Sequence, residues 1–171
     1  MLPQAYVYPR GMRETRDLLR RRMYLVHQRA ELFTHVQNTN SQYNLAPFPK
    51  KLCSKTNRVG VDQRFSNESV QRSVAVDLEL VEHYDRLIPD LEQYLVEHAK
   101  VDDPFAFQLL RTVPGIGKVL ALVLLYEIHR IERFASAGDF LSYARLVAAR
   151  GSSAGKLKGV MGRKIGNAHL K

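Results

Sequence analysis

The chain has 171 residues, 45% of them hydrophobic, which is enough for one or two domains with a buried core. Its 26 lysines and arginines outnumber 17 acidic residues and give a formal charge of +9, which favours a polyanionic partner. Cys53 is the only cysteine, which excludes an internal disulfide and a cysteine-based zinc site, and the six histidines have no metal-ligand spacing. The longest apolar run, residues 119–125, is too short to span a bilayer, and the N-terminus has no signal-peptide core. We therefore expect a soluble cytoplasmic protein with no membrane partner.

The positive charge is concentrated in the last third of the chain. Residues 1–40 have a net charge of +4, residues 41–110 of −3 and residues 111–171 of +8. From Leu141 onward there are seven basic residues and no acidic one. A polyanion such as DNA is therefore expected to bind this part of the chain.

Hydrophobic periodicity predicts an all-α fold. After an extended lead-in at residues 1–10, we predict a coiled-coil-like helical hairpin over residues 11–100, with helices at about 11–38 and 68–100. The polar residues 39–68 are expected to form a long loop or a partly disordered excursion. The outer seam of the hairpin could pair with a second copy, so a homo-oligomer is expected. The predicted seam residues are Met12, Leu19, Met23, Val26, Ala30 and Phe33 in the first helix and Val74, Leu78, Val81, Tyr84, Ile88, Leu91 and Leu95 in the second.

Two features of these helices need an explanation of their own. Pro89 is expected to kink or split the second helix, because proline removes a helical hydrogen bond. The first helix has an arginine-rich face, which a solvated surface and a phosphate-binding stripe explain about equally well. Its members are Arg13, Arg16, Arg20, Arg21, Arg22 and Arg29.

Residues 101–171 are predicted to form a small helical domain built around a tight Pro-Gly-Ile-Gly turn. The turn joins two apolar runs, residues 104–111 and 118–128, and Asp103 followed by Pro104 is a typical helix start. Glycine permits positive φ and close approach of another molecule, and a lysine at a helix N-terminus favours an anion. The pattern favours a helix-hairpin-helix that binds a DNA phosphate, with a corner in a helical core as the alternative. The residues predicted to bind DNA here are Gly115, Ile116, Gly117 and Lys118.

The C-terminal stretch combines glycines, serines and cations. A helix is predicted at about residues 137–149, capped by Ser136 and with Asp139 in its first turn. Composition then favours a flexible, basic, Gly/Ser-rich tail at residues 150–171. The alternative is a phosphate site with a serine nucleophile, because serine attack on a phosphodiester needs nearby cations to hold the developing charge. His169 is a weak candidate for proton transfer, and the cations predicted to bind DNA are Arg150, Lys156, Lys158, Arg163 and Lys164.

Five motifs in this order resemble those of a known family. They are Leu-Leu-x-Thr-Val-Pro-Gly-Ile-Gly-Lys at residues 109–118, Arg-Phe at 133–134, Tyr-Ala-Arg-Leu-Val at 143–147, Ser-Ala-Gly-Lys at 153–156 and Gly-Asn-Ala-His-Leu-Lys at 166–171. The chain thereby resembles the transposases of insertion sequence family 110, also labelled 116/902. Residues 2–9 and the arginine-rich helix resemble the segment that follows the nuclease domain in that family.

The resemblance implies a DNA recombinase that works by serine-dependent strand cleavage and transfer. Full-length members have an N-terminal RNase-H-like domain that binds a divalent metal, a coiled-coil region for oligomer assembly, and a C-terminal transposase domain. A structured guide RNA encoded by the element directs them to DNA. Carried over to this chain, the catalytic serine is best matched by Ser153, immediately before Ala154-Gly155-Lys156, with Ser152 as the alternative.

The chain departs from the family pattern at both ends. The metal-binding carboxylates would lie before Met1, and the family continues past Lys171. We therefore expect a transposase fragment without a metal or other cofactor of its own, inactive in isolation, that binds DNA and self-associates in a prokaryotic nucleoid. The alternatives are a non-catalytic helix-hairpin-helix module that binds nucleic acid, and a structural protein whose helical hairpin drives dimerisation.

Overall fold

A computed structural model describes residues 6–147, 149–153, 156–161 and 166–170. The described residues are mostly helical, which confirms the predicted all-α class, and they divide into two compact units. The paired-helix unit comprises residues 21–94, and the terminal unit comprises the described parts of residues 1–20 and 95–171. The α-helices are α1 (Arg10–Gln42), α2 (Glu68–Asp102), α3 (Pro104–Thr112), α4 (Lys118–Ile128) and α5 (Ala137–Tyr143), and the strands are β1 (Ala149–Ser153) and β2 (Lys156–Met161).

Within the paired-helix unit, α1 and α2 run antiparallel. Ion pairs join Arg22 to Glu92 and Arg29 to Asp85 at 3.0 Å, and a hydrogen bond of 2.5 Å joins His35 to Asp77. The partner residue therefore moves back along α2 as the chain advances along α1. Most predicted seam positions are buried or half-buried, but Ala30 is exposed and Val36, which was not assigned to the seam, is fully buried. The seam drifts because 3.6 residues per turn does not match a strict seven-residue repeat.

The α2 helix continues through Pro89 without a break. The predicted split at this position is therefore wrong.

The residues between α1 and α2, at 43–67, form an ordered capping loop, where a long or partly disordered excursion was expected. The loop contains 3-10 turns at Lys55–Arg58 and Asp62–Arg64. Its apolar side chains pack with Val36 of α1 and Val74 of α2. The composition of this segment did not predict the small core, because its apolar residues are widely spaced among polar ones. They are Leu45, Phe48, Leu52, Val61 and Phe65.

Arg58 is the centre of the capping loop. Its buried guanidinium donates to the carbonyl oxygens of Leu52 at 2.7 Å and Cys53 at 2.9 Å, and it pairs with Asp85 at 2.7 Å. It also lies over the ring of Phe33. A buried charge is tolerated only when it is paired and hydrogen-bonded, so these contacts hold the loop to both helices.

The terminal unit is built around α4, which is apolar on nearly every side because it is surrounded by other elements. Six of its residues are buried, and Phe107 of α3 and Leu19 of α1 are buried in the same unit. The α3 helix begins as predicted: the side chain of Asp103 accepts a hydrogen bond from the Ala106 N–H at 2.9 Å, and proline follows it.

The last helix and the tail differ from the prediction. Ser136 caps α5 as expected, accepting from the Asp139 N–H at 3.2 Å. However, α5 ends at Tyr143 and not near residue 149, and Arg145 has a φ of +58°, which no helix continues through. The segment expected to be a flexible tail contains an antiparallel β-ribbon of β1 and β2. A glycine-rich stretch has no period-two pattern to predict such pairing.

Candidate nucleic-acid interface

A five-residue turn, residues 113–117, connects α3 to α4. The Ile116 N–H donates to the Val113 carbonyl at 3.0 Å, and Gly115 has a φ of +90°. Proline at the second position and positive φ at the third define a type II turn, which requires glycine there. Gly115 is therefore needed by the fold of the turn.

Gly117 is in a different situation. Its φ of −77° and ψ of 176° are open to any residue, and an added Cβ would meet none of the described atoms within 4 Å. Of the two properties that glycine brings to the turn, positive φ is therefore used at Gly115 and not at Gly117.

The last residue of the turn, Gly117, is also the N-cap residue of α4. The first helical hydrogen bond runs from the Ala121 N–H to the Gly117 carbonyl at 2.9 Å, and Gly117, the N-cap residue, has no side chain to cap the N–H groups of the first turn. These groups and the helix dipole favour an anion. Lys118 is exposed at the same place, so the structure brings the four predicted residues of this turn together on one surface.

A buried polar cluster that the sequence analysis missed lies at the other end of α4. Glu127 is fully buried and accepts two hydrogen bonds from Arg20, both at 2.7 Å, and one from the Asn167 amide at 2.6 Å. Burial alone would raise the pKa of the Glu127 carboxyl, but the hydrogen bonds from Arg20 and Asn167 outweigh it and hold the pKa below its ordinary value. We call these three residues the anchor cluster. In the sequence, the sign of this cluster was the carboxylate of Glu127 within an otherwise apolar run.

Aromatic residues surround the anchor cluster. The Tyr8 hydroxyl donates to the Glu127 carbonyl at 2.5 Å, and burial raises the pKa of Tyr8 to about 12. The Tyr143 hydroxyl donates to the same carbonyl at 3.4 Å. The guanidinium of Arg133 lies 4.5–5.4 Å from the ring centres of four aromatic residues, Tyr6, Tyr8, Phe134 and Tyr143. Cation–π contacts of this kind fix the extended lead-in against the end of α4.

The arginine-rich face of α1 is also engaged within the chain. Arg22 and Arg29 form the ion pairs with α2, Arg20 binds Glu127, and the Arg16 guanidinium lies 4.0 Å from the centre of the Tyr8 ring. Arginine suits such contacts because its planar fork both pairs with carboxylates and stacks on rings. The contacts of these four arginines fit neither a solvated face nor a phosphate-binding stripe.

The two candidate serines lie on β1. The backbone register places Ser153 opposite Lys156 and Ser152 opposite Leu157, with Gly151 opposite Lys158 and Arg150 opposite Val160. The ribbon therefore brings the predicted serine and a predicted cation to the same end of one hairpin. Of the other predicted residues, Arg163 and Lys164 lie outside the described part of the chain.

His169 lies beside the anchor cluster. Its backbone N–H donates to the Asn167 side-chain oxygen at 2.9 Å, and burial together with the charge of Arg20 lowers the pKa of its imidazole. Within the described ranges, no three histidine, cysteine or acidic residues are grouped as a metal site, and no helix is long and apolar enough to cross a membrane.

Residues 107–171 match the family model described as Transposase IS116/IS110/IS902 family. The match begins inside α3 and includes the glycine turn, the β-ribbon and Asn167. No curated protein and no solved structure matches the chain. The comparison confirms the resemblance for the five motifs, which all lie within residues 107–171, and does not reach residues 2–9 or the arginine-rich helix.

Proposed function

We propose that this chain, whose residues 107–171 form a transposase domain of the IS116/IS110/IS902 family, binds DNA through the turn between α3 and α4 and takes part in DNA transposition. The observation that carries the proposal is the glycine at position 117. The fold does not require a glycine there, because an added Cβ would meet none of the described atoms within 4 Å. A phosphate that approaches this backbone would be held by the N–H groups of α4 and by Lys118 in a helix-hairpin-helix.

The charge distribution supports the same interface. The net charge of +8 over residues 111–171 favours a polyanion, and the α1 arginines do not supply the site because their contacts are internal. Binding of this kind releases counterions, so affinity should fall steeply with salt. It carries little sequence information, because it contacts phosphates and not base edges.

For the chemical step, we propose Ser153 as the nucleophile, with Ser152 as the alternative. The Ser153 hydroxyl would attack a DNA phosphorus, form a phosphoserine ester and release the hydroxyl of the cleaved strand, and a second DNA hydroxyl would reverse the step during strand transfer. The position of Lys156 opposite Ser153 supports this assignment, because a cation stabilises the developing negative charge. By family likeness, a guide RNA and a second copy of the chain are further proposed partners, and the nucleoid is the proposed location.

The DNA-binding proposal is tested with Gly117→Val in a fluorescence anisotropy titration of a labelled duplex. We expect a loss of affinity of about tenfold, on the order of one good contact, while thermal unfolding is unchanged. Gly138→Val is the matched control, since this exposed glycine lies in α5 away from the turn. Unchanged affinity of the Gly117 variant would remove the turn from the interface.

The chemical proposal is tested by trapping a covalent adduct. The chain is incubated with nicked element-end DNA and an RNase-H-like domain of the family supplied in trans. A protein–DNA band that survives denaturation and is lost in Ser153→Ala supports the assignment, and loss only in Ser152→Ala moves it to the neighbouring serine. DNA binding without any adduct would favour the non-catalytic binding module.

A further inference from the structure

The β-ribbon carries the two candidate serines and three of the predicted cations, and residues 143–145 contact residues 166–167 at its base. The Asn167 N–H donates to the Tyr143 carbonyl at 2.7 Å, so the last residue of α5 meets a residue six positions beyond the end of β2. The Arg145 side chain donates to the Gly166 carbonyl at 3.1 Å and reinforces the closure. Both ends of the excursion from residue 144 to 166 are thereby held together.

The approach at this base is too close for any residue but glycine at position 166. An added Cβ would lie 2.5 Å from the Tyr143 carbonyl oxygen, and the φ of Gly166 is +94°. Position 166 therefore requires glycine for two reasons: its φ is positive, and its backbone lies too close to the Tyr143 carbonyl oxygen to leave room for a Cβ.

Asn167 connects this base to the buried core of the terminal unit. Its amide nitrogen donates to Glu127 at 2.6 Å and lies 3.2 Å from the Tyr143 hydroxyl, while its oxygen accepts from the His169 N–H. Glu127 in turn is held by both nitrogens of the Arg20 fork. Asn167 is 7% exposed, and both the nitrogen and the oxygen of its side-chain amide are hydrogen-bonded, which fixes the orientation of the amide.

We propose that Asn167 is a positioning residue for DNA binding: the Arg20–Glu127–Asn167 cluster holds the base of the β-ribbon so that Lys156 and Lys158 can meet a DNA phosphate backbone together. This inference rests on the proposed function, because it assumes that the ribbon lysines contact DNA. Asn167 acts through the ribbon and does not itself touch DNA. The entropic cost of ordering the ribbon is then met on folding and not on binding.

The test is a double-mutant cycle in the full 171-residue chain. Lys156→Ala/Lys158→Ala is measured alone and together with Asn167→Ala, by duplex affinity as a function of salt. Alone, the lysine pair should lower the salt slope by about two units, one for each lost phosphate contact. In the Asn167→Ala background, the same pair should lower it by much less, because the lysines no longer act in concert.

The matched control is Asn40→Ala. Asn40 is also buried, at 3% exposure, and its amide donates to the Leu45 and Ala46 carbonyls within the paired-helix unit. It removes the same side chain and similar contacts, so it should lower stability while leaving the effect of the lysine pair intact. A cycle that is additive with Asn167→Ala and with Asn40→Ala alike would overturn the proposal.

Hydrogen exchange of the ribbon amides separates this inference from the DNA-binding proposal. If the lysine pair has no effect on DNA in the parent chain, the ribbon is not a DNA contact and that part of the proposed function fails. Exchange then decides the positioning role: Asn167→Ala should speed exchange across β1 and β2, and unchanged exchange would overturn it. If Asn167→Ala does not fold, Asn167→Ser, which keeps a small uncharged polar side chain but lacks the amide donor to Glu127 and Tyr143, takes its place with the same expected outcomes.

Discussion

The arginines of α1 and the glycine turn before α4 are two cationic regions that the fold surrounds differently. The Arg16, Arg20, Arg22 and Arg29 side chains contact rings and carboxylates of the same chain. The turn has an exposed lysine beside the first backbone N–H groups of α4, and the N-cap residue Gly117 has no side chain to cap them. Charge density along a sequence therefore does not show which cations pack against rings and carboxylates of their own chain.

The largest effect is expected for Glu127→Ala, which tests whether the internal contacts of Arg20 stabilise the fold. The Arg20 guanidinium and the Asn167 amide would lose their acceptor in a buried site, and the free energy of unfolding should fall by about 3 kcal/mol. Urea unfolding of the full chain measures it. Glu14→Ala, which breaks only an exposed i,i+4 pair with Arg10, is the control and should change almost nothing. A similar small effect for both would show that the anchor cluster does not stabilise the fold.

The paired-helix unit offers a second internal arginine. Arg58→Ala removes the hydrogen-bond donor to the Leu52 and Cys53 carbonyls and the ion-pair partner of Asp85. We expect the free energy of unfolding to fall by about 2–3 kcal/mol and the capping loop to open locally. Proteolysis of residues 43–67 measures the opening. The neighbouring Lys55→Ala is the control, because its 3.7 Å pair with Glu82 is exposed. Equal protection in both variants would contradict the role given to Arg58.

Alanine substitutions at Gly115 and Gly117 test which glycine of the turn the fold requires. Gly115→Ala forces an alanine to a φ of +90° and should cost about 1–2 kcal/mol of stability, whereas Gly117→Ala should leave stability nearly unchanged. Thermal unfolding of the pair measures the difference. Equal destabilisation would mean that Gly117 is also required by the fold, and its assignment to a partner would fail.

The pH dependence of stability tests the charge on Glu127. Its pKa in the folded protein is lower than its ordinary value of 4.5, so the carboxylate stabilises the fold above pH 4.5 and this contribution is lost as the pH falls through the lower folded pKa. Urea midpoints measured across acid pH should fall less steeply in Glu127→Gln than in the parent chain. Parallel curves would show that Glu127 does not contribute to acid unfolding.

The smallest effect is expected for Lys118→Ala. A single phosphate contact should lower the salt slope of DNA binding by about 0.9 and weaken binding evenly across sequences. Titrations of two duplexes of unrelated sequence measure it, with Lys100→Ala as an exposed lysine control outside the turn. A loss confined to one duplex would contradict a phosphate contact.

Helices and their ends were open to prediction because they depend on neighbours in sequence. The Asp103-Pro104 start, the Ser136 cap and the α4 helix at Lys118–Ile128 follow from local hydrogen bonding and apolar periodicity. The turn at residues 113–117 was located for the same reason. The order of five short motifs was enough to find the family whose model matches residues 107–171, since such spacing is rarely met by chance.

Contacts between distant residues were not open to prediction. The amide of Asn167 meets the carboxylate of Glu127, 40 positions earlier, and Arg20 meets it from 107 positions away. No local pattern shows that these side chains converge, nor that widely spaced apolar residues in the capping loop share a core. The capping loop and the β-ribbon were missed for this reason.

By itself, the sequence determined where helices begin, which turn needs positive φ and which family the C-terminal part resembles, because each is written in a few adjacent residues. Only the tertiary structure decided which cations are engaged internally, that Gly117 is open where Gly115 is constrained, and that Asn167 closes the base of the ribbon. These depend on the distances at which the folded chain places groups far apart in sequence, and the energy of a charge or a missing side chain follows from those surroundings.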